Sequence, residues 1–138
     1  MKIWFTSDYH FNHGNIIHLC HRPFQTVEEM NETIIRLHNE RVKEDDLVFD
    51  LGDFIFRNSP GGKPGEGKQE KAITFLKRLN GRRISVKGNH CGNNSMKTPI
   101  EKVYIRHGGF RICLVHNPIY ADPKCELNFC GHVHTQWK

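Results

Sequence analysis

Side chains that can bind metal ions recur along this sequence, each shortly after an apolar run. The candidates are Asp8, His10, Asp53, Asn89, His116, His132 and His134. Together they offer hard oxygen and borderline nitrogen donors, which suit Mn, Fe, Zn or Ni better than calcium or a thiolate-bound metal. His132 and His134 are one residue apart, so on an extended segment they point the same way. These residue types predict a site for divalent transition-metal ions.

The number of candidates indicates two ions rather than one. Seven ligands exceed what a single ion needs, whereas they suffice for two ions that share a carboxylate. Each residue taken alone has an ordinary explanation, because a single histidine is more often a hydrogen-bonded surface or core residue. Asp8 or Asn89 alone could equally be a turn residue. It is their joint occurrence after five apolar segments that favours a metal centre.

The segments before these residues read as β-strands. They are residues 2–7, 47–51, 83–87, 110–116 and 127–130, with 100–106 as the other arm of a hairpin. In open α/β sheets, ligands gather where the carboxyl ends of strands meet. Gly52, Gly88 and Gly131 come just before polar residues and permit close backbone approach there. We therefore expect the candidates to converge at one edge.

Helical patterns alternate with the strands. Residues 15–21 predict a short helix, and residues 27–42 a longer one that opens with a capping box of Thr26 and Glu29. A third helix within 69–80 would place Ile73, Leu76 and Leu79 on one side. The alternation predicts an α/β layered fold, with central sheets flanked by helices.

The composition bounds the class of protein. A chain of 138 residues that is 37% hydrophobic predicts one domain over residues 1–138. No apolar run has the length of a membrane helix and the N-terminus lacks a signal-peptide pattern, so we expect a cytoplasmic protein. A formal charge of +5 fits a phosphate-bearing partner, nucleic acid included. Five scattered cysteines without a CxxC pair predict free thiols.

Short sequence blocks resemble those of the calcineurin-like metallophosphoesterase superfamily, in that family's order. The blocks are DYH at 8–10, GD at 52–53, GNH at 88–90, His116 and GHVH at 131–134. The stretches KIWFTSDYHF and CHRPF are similar to the small single-domain bacterial and phage members. The sequence departs from the pattern at Cys91, where an acidic residue is usual, and after GD, where FIF follows. The resemblance also implies a further strand after GHVH, and this sequence ends at Lys138.

The resemblance implies a ligand set for each of two divalent ions. Asp8, His10, Asp53 and His134 would hold one ion. Asp53, Asn89, His116 and His132 would hold the other, with Asp53 bridging. His90 would bind no metal and would face the substrate instead.

These assignments imply a hydrolase that cleaves phosphodiesters or phosphomonoesters by metal-bound hydroxide. His90 would protonate the leaving oxygen, which requires that the phosphate raise the pKa of His90. Arg22 and Arg57 are candidates for phosphate contacts, and a solvated surface arginine is an equal alternative for Arg22. A nucleotide or nucleic acid is among the possible substrates, which would make the protein a nuclease or a cyclic-nucleotide phosphodiesterase.

Two other functions stay open. The same pocket could hold metal and a phosphate ligand without catalysis, as a binding module. Gly62–Lys68 also fits the G-x-x-x-x-G-K pattern of a nucleotide-binding P-loop. The P-loop is the weaker alternative, because Gln69 replaces the required Ser or Thr and Pro64 lacks an N–H for the phosphate cradle.

Overall fold

The structure, a computed structural model, describes residues 1–56, 68, 70–90 and 96–136. It has a mixed α/β architecture with two three-stranded sheets and flanking helices. The first sheet is entirely parallel, in the order β1 (Ile3–Thr6), β2 (Leu47–Asp50), β3 (Arg82–Ser85). The predicted layered α/β fold is therefore confirmed.

The second sheet contains the predicted hairpin and the last strand. Its order is β4 (Lys102–His107), β5 (Phe110–Val115), β6 (Leu127–Phe129). β4 and β5 are antiparallel, and β6 runs parallel to β5. The carboxyl ends of β5 and β6 consequently lie at the same edge of this sheet.

An apolar core joins the two sheets. Phe49 and Leu51, at the end of β2, belong to the same buried cluster as Ile112 and Leu114 of β5. Phe5 of β1 meets Phe129 of β6 edge to face, with ring centroids 4.8 Å apart. Because residues from both sheets form this cluster, it fixes one sheet against the other.

The described residues also form three α-helices, α1 (Gly14–Leu19), α2 (Val27–Arg41) and α3 (Ala72–Leu76). The predicted cap of α2 is present, since the Glu29 N–H donates to Thr26 Oγ1 at 3.1 Å. The Glu29 carboxylate accepts from the N–H of Gln25 at 2.8 Å. Within the described ranges, no helix combines the length and the apolar character needed to cross a membrane.

The predicted apolar face of α3 includes one residue that is not buried. Ile73 is 51% exposed, whereas Ala72, Phe75 and Leu79 are buried. The Phe75 ring stacks on Phe11 with centroids 4.5 Å apart, and this aromatic contact decides which face of the helix turns inward. Both faces have helical spacing, so periodicity alone could not choose between them.

Candidate metal centre

The loops that follow β1 and β2 lie side by side, as if the two strands continued. The N–H of Asp8 donates to the carbonyl of Gly52, and the N–H of His10 donates to the carbonyl of Asp53, both at 3.0 Å. Further along, Phe11 pairs with Ile55 in an isolated parallel bridge. This pairing places the first two sequence blocks next to each other.

A first group of potential ligands joins the beginning of the chain to its end. It consists of Asp8, His10 and His134, whose ligand atoms all lie within 4.8 Å of one another. Oδ1 of Asp8 lies 3.6 Å from Nε2 of His10 and 3.5 Å from Nε2 of His134. This trio corresponds to three of the four ligands expected for one ion.

A second group combines the loop after β2 with residues that follow β5 and β6. Asp53, His116 and His132 offer ligand atoms within 4.8 Å of one another. Asn89 joins them, because its Oδ1 lies 2.9 Å from Nε2 of His116 and 3.0 Å from Nδ1 of His132. These four residues are the set expected for the other ion.

Asp53 lies between the two groups. Its Oδ2 is 3.8 Å from Nε2 of His10 in the first group and 3.2 Å from Nε2 of His116 in the second. Its Oδ1 accepts a hydrogen bond of 2.9 Å from the N–H of His90. The carboxylate is thus held in the place of a shared ligand.

Two buried polar atoms test whether these residues suit a metal ion. Oδ1 of Asp8 and Nε2 of His10 are buried and have no hydrogen-bond partner in the described parts of the chain. Such an atom costs about 1–3 kcal/mol of folding stability when it is left unsatisfied. A divalent cation between a carboxylate oxygen and an imidazole nitrogen would satisfy both. The residues present therefore fit the metal.

The backbone is strained at most of these positions. Five of the seven candidate ligands have a positive φ, and they are Asp8 (55°), His10 (53°), Asp53 (53°), His132 (73°) and His134 (49°). Left-handed backbone at a residue other than glycine costs about 1–3 kcal/mol and is concentrated at functional sites. Its concentration here indicates that the loops are shaped for the arrangement of their side chains.

Two glycines allow the carboxylates their positions. A Cβ atom on Gly88 would collide with Oδ1 of Asp53, and one on Gly131 would collide with Oδ2 of Asp8 and with Ser7. Their positions just before polar residues in the sequence predict such close backbone approach. A residue with a side chain at either position would therefore displace the carboxylate that the glycine contacts.

Electrostatics keep the two carboxylates ionised. Burial alone would raise the pKa of Asp8, but the nearby His10 imidazole and hydrogen bonds from Ser7 and the His132 N–H lower it to about 2. Burial likewise opposes ionisation of Asp53, and bonds from His116 and the His90 N–H hold its pKa below the usual value. Both groups are anionic at neutral pH and ready to bind a cation.

A backbone carbonyl orients the imidazole of His116. Its Nδ1 lies 2.8 Å from the carbonyl of Leu51, to which it donates, so that Nε2 faces Asp53. Burial would lower the pKa of His116, but the neighbouring Asp53 carboxylate raises it above the usual value. A backbone carbonyl that fixes the tautomer of a histidine in this way is typical of metal ligands.

His13 is a part of the site that the sequence did not single out. It is buried, with its Nδ1 2.9 Å from Nδ1 of His10. Its ring stacks on Phe56 at a centroid distance of 3.9 Å. Burial, together with the nearby His10 and His90, lowers the pKa of His13 to about 3, so the ring is neutral. The only signal in the sequence was its position three residues after His10.

His90 lies at the rim of the centre with its side chain 32% exposed, and its Nε2 is 3.9 Å from Oδ2 of Asp53. Burial and the neighbouring histidines lower the pKa of this imidazole, although Asp53 opposes them. The raised pKa predicted for the complex with phosphate therefore has to come from the charge of the phosphate itself.

Of the two arginines predicted to contact phosphate, the structure describes Arg22 only. The guanidinium of Arg22 donates to the carbonyls of Asp8 at 2.6 Å and Tyr9 at 2.9 Å, which supports the loop after β1. A phosphate contact by Arg22 stays a prediction that these bonds do not favour. Arg57 lies outside the described residues, as do Cys91 and the part of the P-loop pattern at 62–67.

Comparison with known proteins agrees with this geometry. The model of the calcineurin-like phosphoesterase family matches residues 1–136. The uncharacterized protein MJ1445 of Methanocaldococcus jannaschii is 39% identical over 132 residues, which are 96% of this chain and 66% of that protein. The gene 66 protein of Mycobacterium phage L5 is 31% identical over 100 residues, 72% of this chain and 44% of that protein.

A solved structure is also similar. The protein of unknown function AQ665 from Aquifex aeolicus superposes with a TM-score of 0.63 and 27% identity, over 90% of this chain and 64% of that one. This chain thus spans about half to two thirds of the length of these similar proteins. The match over nearly all of its residues agrees with the resemblance of the sequence blocks: the chain belongs to the calcineurin-like phosphoesterase family.

Proposed function

We propose that the protein hydrolyses phosphoester bonds with the help of two divalent ions. The observation that carries this proposal is the position of Asp53, whose Oδ2 faces both groups of potential ligands, 3.8 Å from His10 and 3.2 Å from His116. Asp8, His10, Asp53 and His134 would hold one ion, and Asp53, Asn89, His116 and His132 the other. Mixed oxygen and nitrogen donors suit Mn, Fe, Zn or Ni.

Divalent ions in such a pair supply Lewis acidity, which activates water at neutral pH and offsets the negative charge of a phosphate. The protein sets how much positive charge is left for the substrate. Among the seven proposed ligands only Asp8 and Asp53 are carboxylates, and the amide of Asn89 is neutral. Two carboxylates do not neutralise two dications, so the centre would still attract a phosphate anion.

His90 is placed to act on the ester oxygen that leaves. In hydrolysis, a water oxygen forms a bond to phosphorus, the ester P–O bond breaks, and its electron pair stays on the leaving oxygen, which then needs a proton. The His90 side chain is at the rim and 32% exposed, so it can approach a bound substrate. In its protonated form it would give that proton to the leaving oxygen.

The test is turnover of bis(4-nitrophenyl) phosphate and 4-nitrophenyl phosphate with Mn, Fe, Zn and Ni in turn. We expect metal-dependent release of nitrophenol and its loss in Asp53→Asn. Asp45→Asn is the matched control, since Asp45 is 73% exposed and pairs only loosely with the N-terminal ammonium, at 3.7 Å. Tight binding of phosphate without turnover, with every metal, would instead identify a non-catalytic binding module.

Preferred substrates belong to the same proposal. Monoesters and diesters, nucleotides and nucleic acid among them, are all compatible with an exposed rim at His90 and a basic chain. The kcat/KM values for the two nitrophenyl esters would rank monoesters against diesters. A cytoplasmic location stays a prediction from the sequence.

A further inference from the structure

A cavity of about 620 Å³ opens beside the second ligand group. Asn89 and His116, two of its proposed ligands, form part of its wall. The volume lies in the range of about 300–1,000 Å³ that is usual for small-molecule sites. A phosphate at the metal centre would therefore have one substituent next to this cavity.

An exposed tyrosine also forms part of the wall. Tyr120 lines the cavity and is 63% exposed. Its hydroxyl has no hydrogen-bond partner among the residues that the structure describes. An aromatic side chain with this exposure contributes little to the core, and an aromatic ring can stack on a planar ligand.

The turn that bears Tyr120 is held rigidly and follows His116 directly. The Asn117 side chain accepts from the N–H of Ile119 at 3.1 Å, and the carbonyl of Asn117 accepts from the N–H of Tyr120 at 3.0 Å. Pro118 fixes the first residue of this short 3-10 turn. The backbone of Tyr120 therefore has a defined position relative to the proposed ligand four residues before it.

Basic residues complete the wall. Lys87 and Lys102 both line the cavity. The ammonium of Lys87 lies 3.7 Å from the carboxylate of Glu101, and the two side chains are 46% and 79% exposed. An exposed pair of this kind is weak, so Lys87 can turn to an anionic ligand.

We infer that this cavity binds the base of a nucleoside phosphoester, with its planar ring against Tyr120 and its phosphate at the metal centre. The inference rests on the proposed function, because it takes the phosphate to lie at the two ligand groups. Stacking on an aromatic side chain is tolerant of base identity. The site would thus select for the presence of a base more than for a particular one.

The test compares two phosphate monoesters that differ only by a base, adenosine 5′-monophosphate and ribose 5-phosphate. Each is titrated into the full chain loaded with Mn, and phosphate release is monitored in parallel. We expect the nucleotide to bind at least about fivefold more tightly, the lower end for one base on one aromatic ring. Tyr120→Ala should abolish this preference, whereas Tyr120→Phe should retain it.

Ile119→Ala is the matched control, because Ile119 is in the same turn, is 77% exposed and does not line the cavity. The Ile119→Ala variant should prefer the nucleotide over ribose 5-phosphate by the same factor as the wild type. Equal affinity of the two ligands in the wild type, or an unchanged preference in Tyr120→Ala, would overturn the inference. This readout needs no turnover, so failure of hydrolysis would remove the proposed enzyme and leave the base-binding test intact.

Discussion

The N–H of His132 donates a hydrogen bond of 3.0 Å to Oδ2 of Asp8, although 124 positions separate the two residues. The same oxygen accepts from Ser7 Oγ at 2.6 Å. With Oδ2 engaged in this way, Oδ1 is left to face His10 and His134. A neighbouring hydroxyl and a backbone N–H from a distant part of the chain therefore together orient the carboxylate towards its proposed ion.

Replacement of His90 tests proton transfer. We expect His90→Asn to lower kcat by about 10²–10⁴-fold on phenyl phosphate, a poor leaving group, and much less on 4-nitrophenyl phosphate, because nitrophenolate leaves without a proton. Wild-type kcat should fall as pH rises through the pKa of His90 in the complex, and the variant should lack that fall. Equal losses on both esters with an unchanged pH profile would exclude this role.

The contact of His13 with His10 predicts an effect on metal affinity. His10 Nδ1–H can donate to the neutral ring of His13 at 2.9 Å, which leaves Nε2 of His10 for a metal. We expect His13→Ala to weaken metal binding by about 10–100-fold, as is usual for groups that orient a ligand. His13→Asn retains an acceptor near the same point and should recover much of the affinity. Metal titration of the three proteins measures this, and equal affinities would refute it.

Substitution of Gly88 tests the close approach to Asp53. The Cβ of Gly88→Ala would collide with the Asp53 carboxylate, so we expect impaired metal binding in elemental analysis. Gly109→Ala is a suitable control, since a Cβ there meets nothing within 4 Å. Its positive φ of 85° should cost only about 1–2 kcal/mol of stability. Full metal content in Gly88→Ala would show that the loop can relax.

Acid stability depends on Asp46. Hydrogen bonds from the N–H groups of Lys2 and Lys43, and from the indole of Trp4, lower the pKa of Asp46 from 3.8 to about 2. The carboxylate therefore stabilises the fold above pH 4, and this contribution is lost as pH falls from about 4 to about 2. We expect Asp46→Asn to unfold at a lower temperature than the wild type at pH 7.

At pH 2 and below, the melting temperatures of the two proteins should approach each other, because Asp46 is then increasingly protonated in the folded wild type as well. Thermal unfolding of metal-free protein across this range, followed by circular dichroism, makes the comparison. A constant difference between the two melting temperatures from pH 7 to pH 2 would contradict the assignment.

Much of the architecture was predictable, because the strands are short apolar runs between turn signals and each is followed by polar residues. Within each sheet the ligands converge because the carboxyl ends of parallel strands share an edge, and the packing of one sheet on the other then brings the two edges together. The face of α3 was not predictable, because the contact of Phe75 with Phe11 spans 64 positions and has no local signature. The contacts of Arg22 were not predictable either. In the sequence, an arginine that donates to backbone carbonyls cannot be distinguished from one that binds a ligand.

Other features of the site also come from tertiary contacts. Nothing in the sequence indicates that Asp8 and Asp53 adopt positive φ, since aspartate is ordinary in loops. The role of His13 likewise depends on the ring of Phe56 beneath it.

Each ligand group draws on both sheets. The first combines Asp8 and His10, after β1, with His134, after β6, and the second combines Asp53, after β2, with His116 and His132 of the other sheet. Bound ions would therefore act as cross-links that clamp the two halves of the sandwich at one end. Removal of the ions by a chelator should then loosen that end first. Proteolysis or hydrogen exchange would detect this local opening while the aromatic contact of Phe5 with Phe129 is still intact.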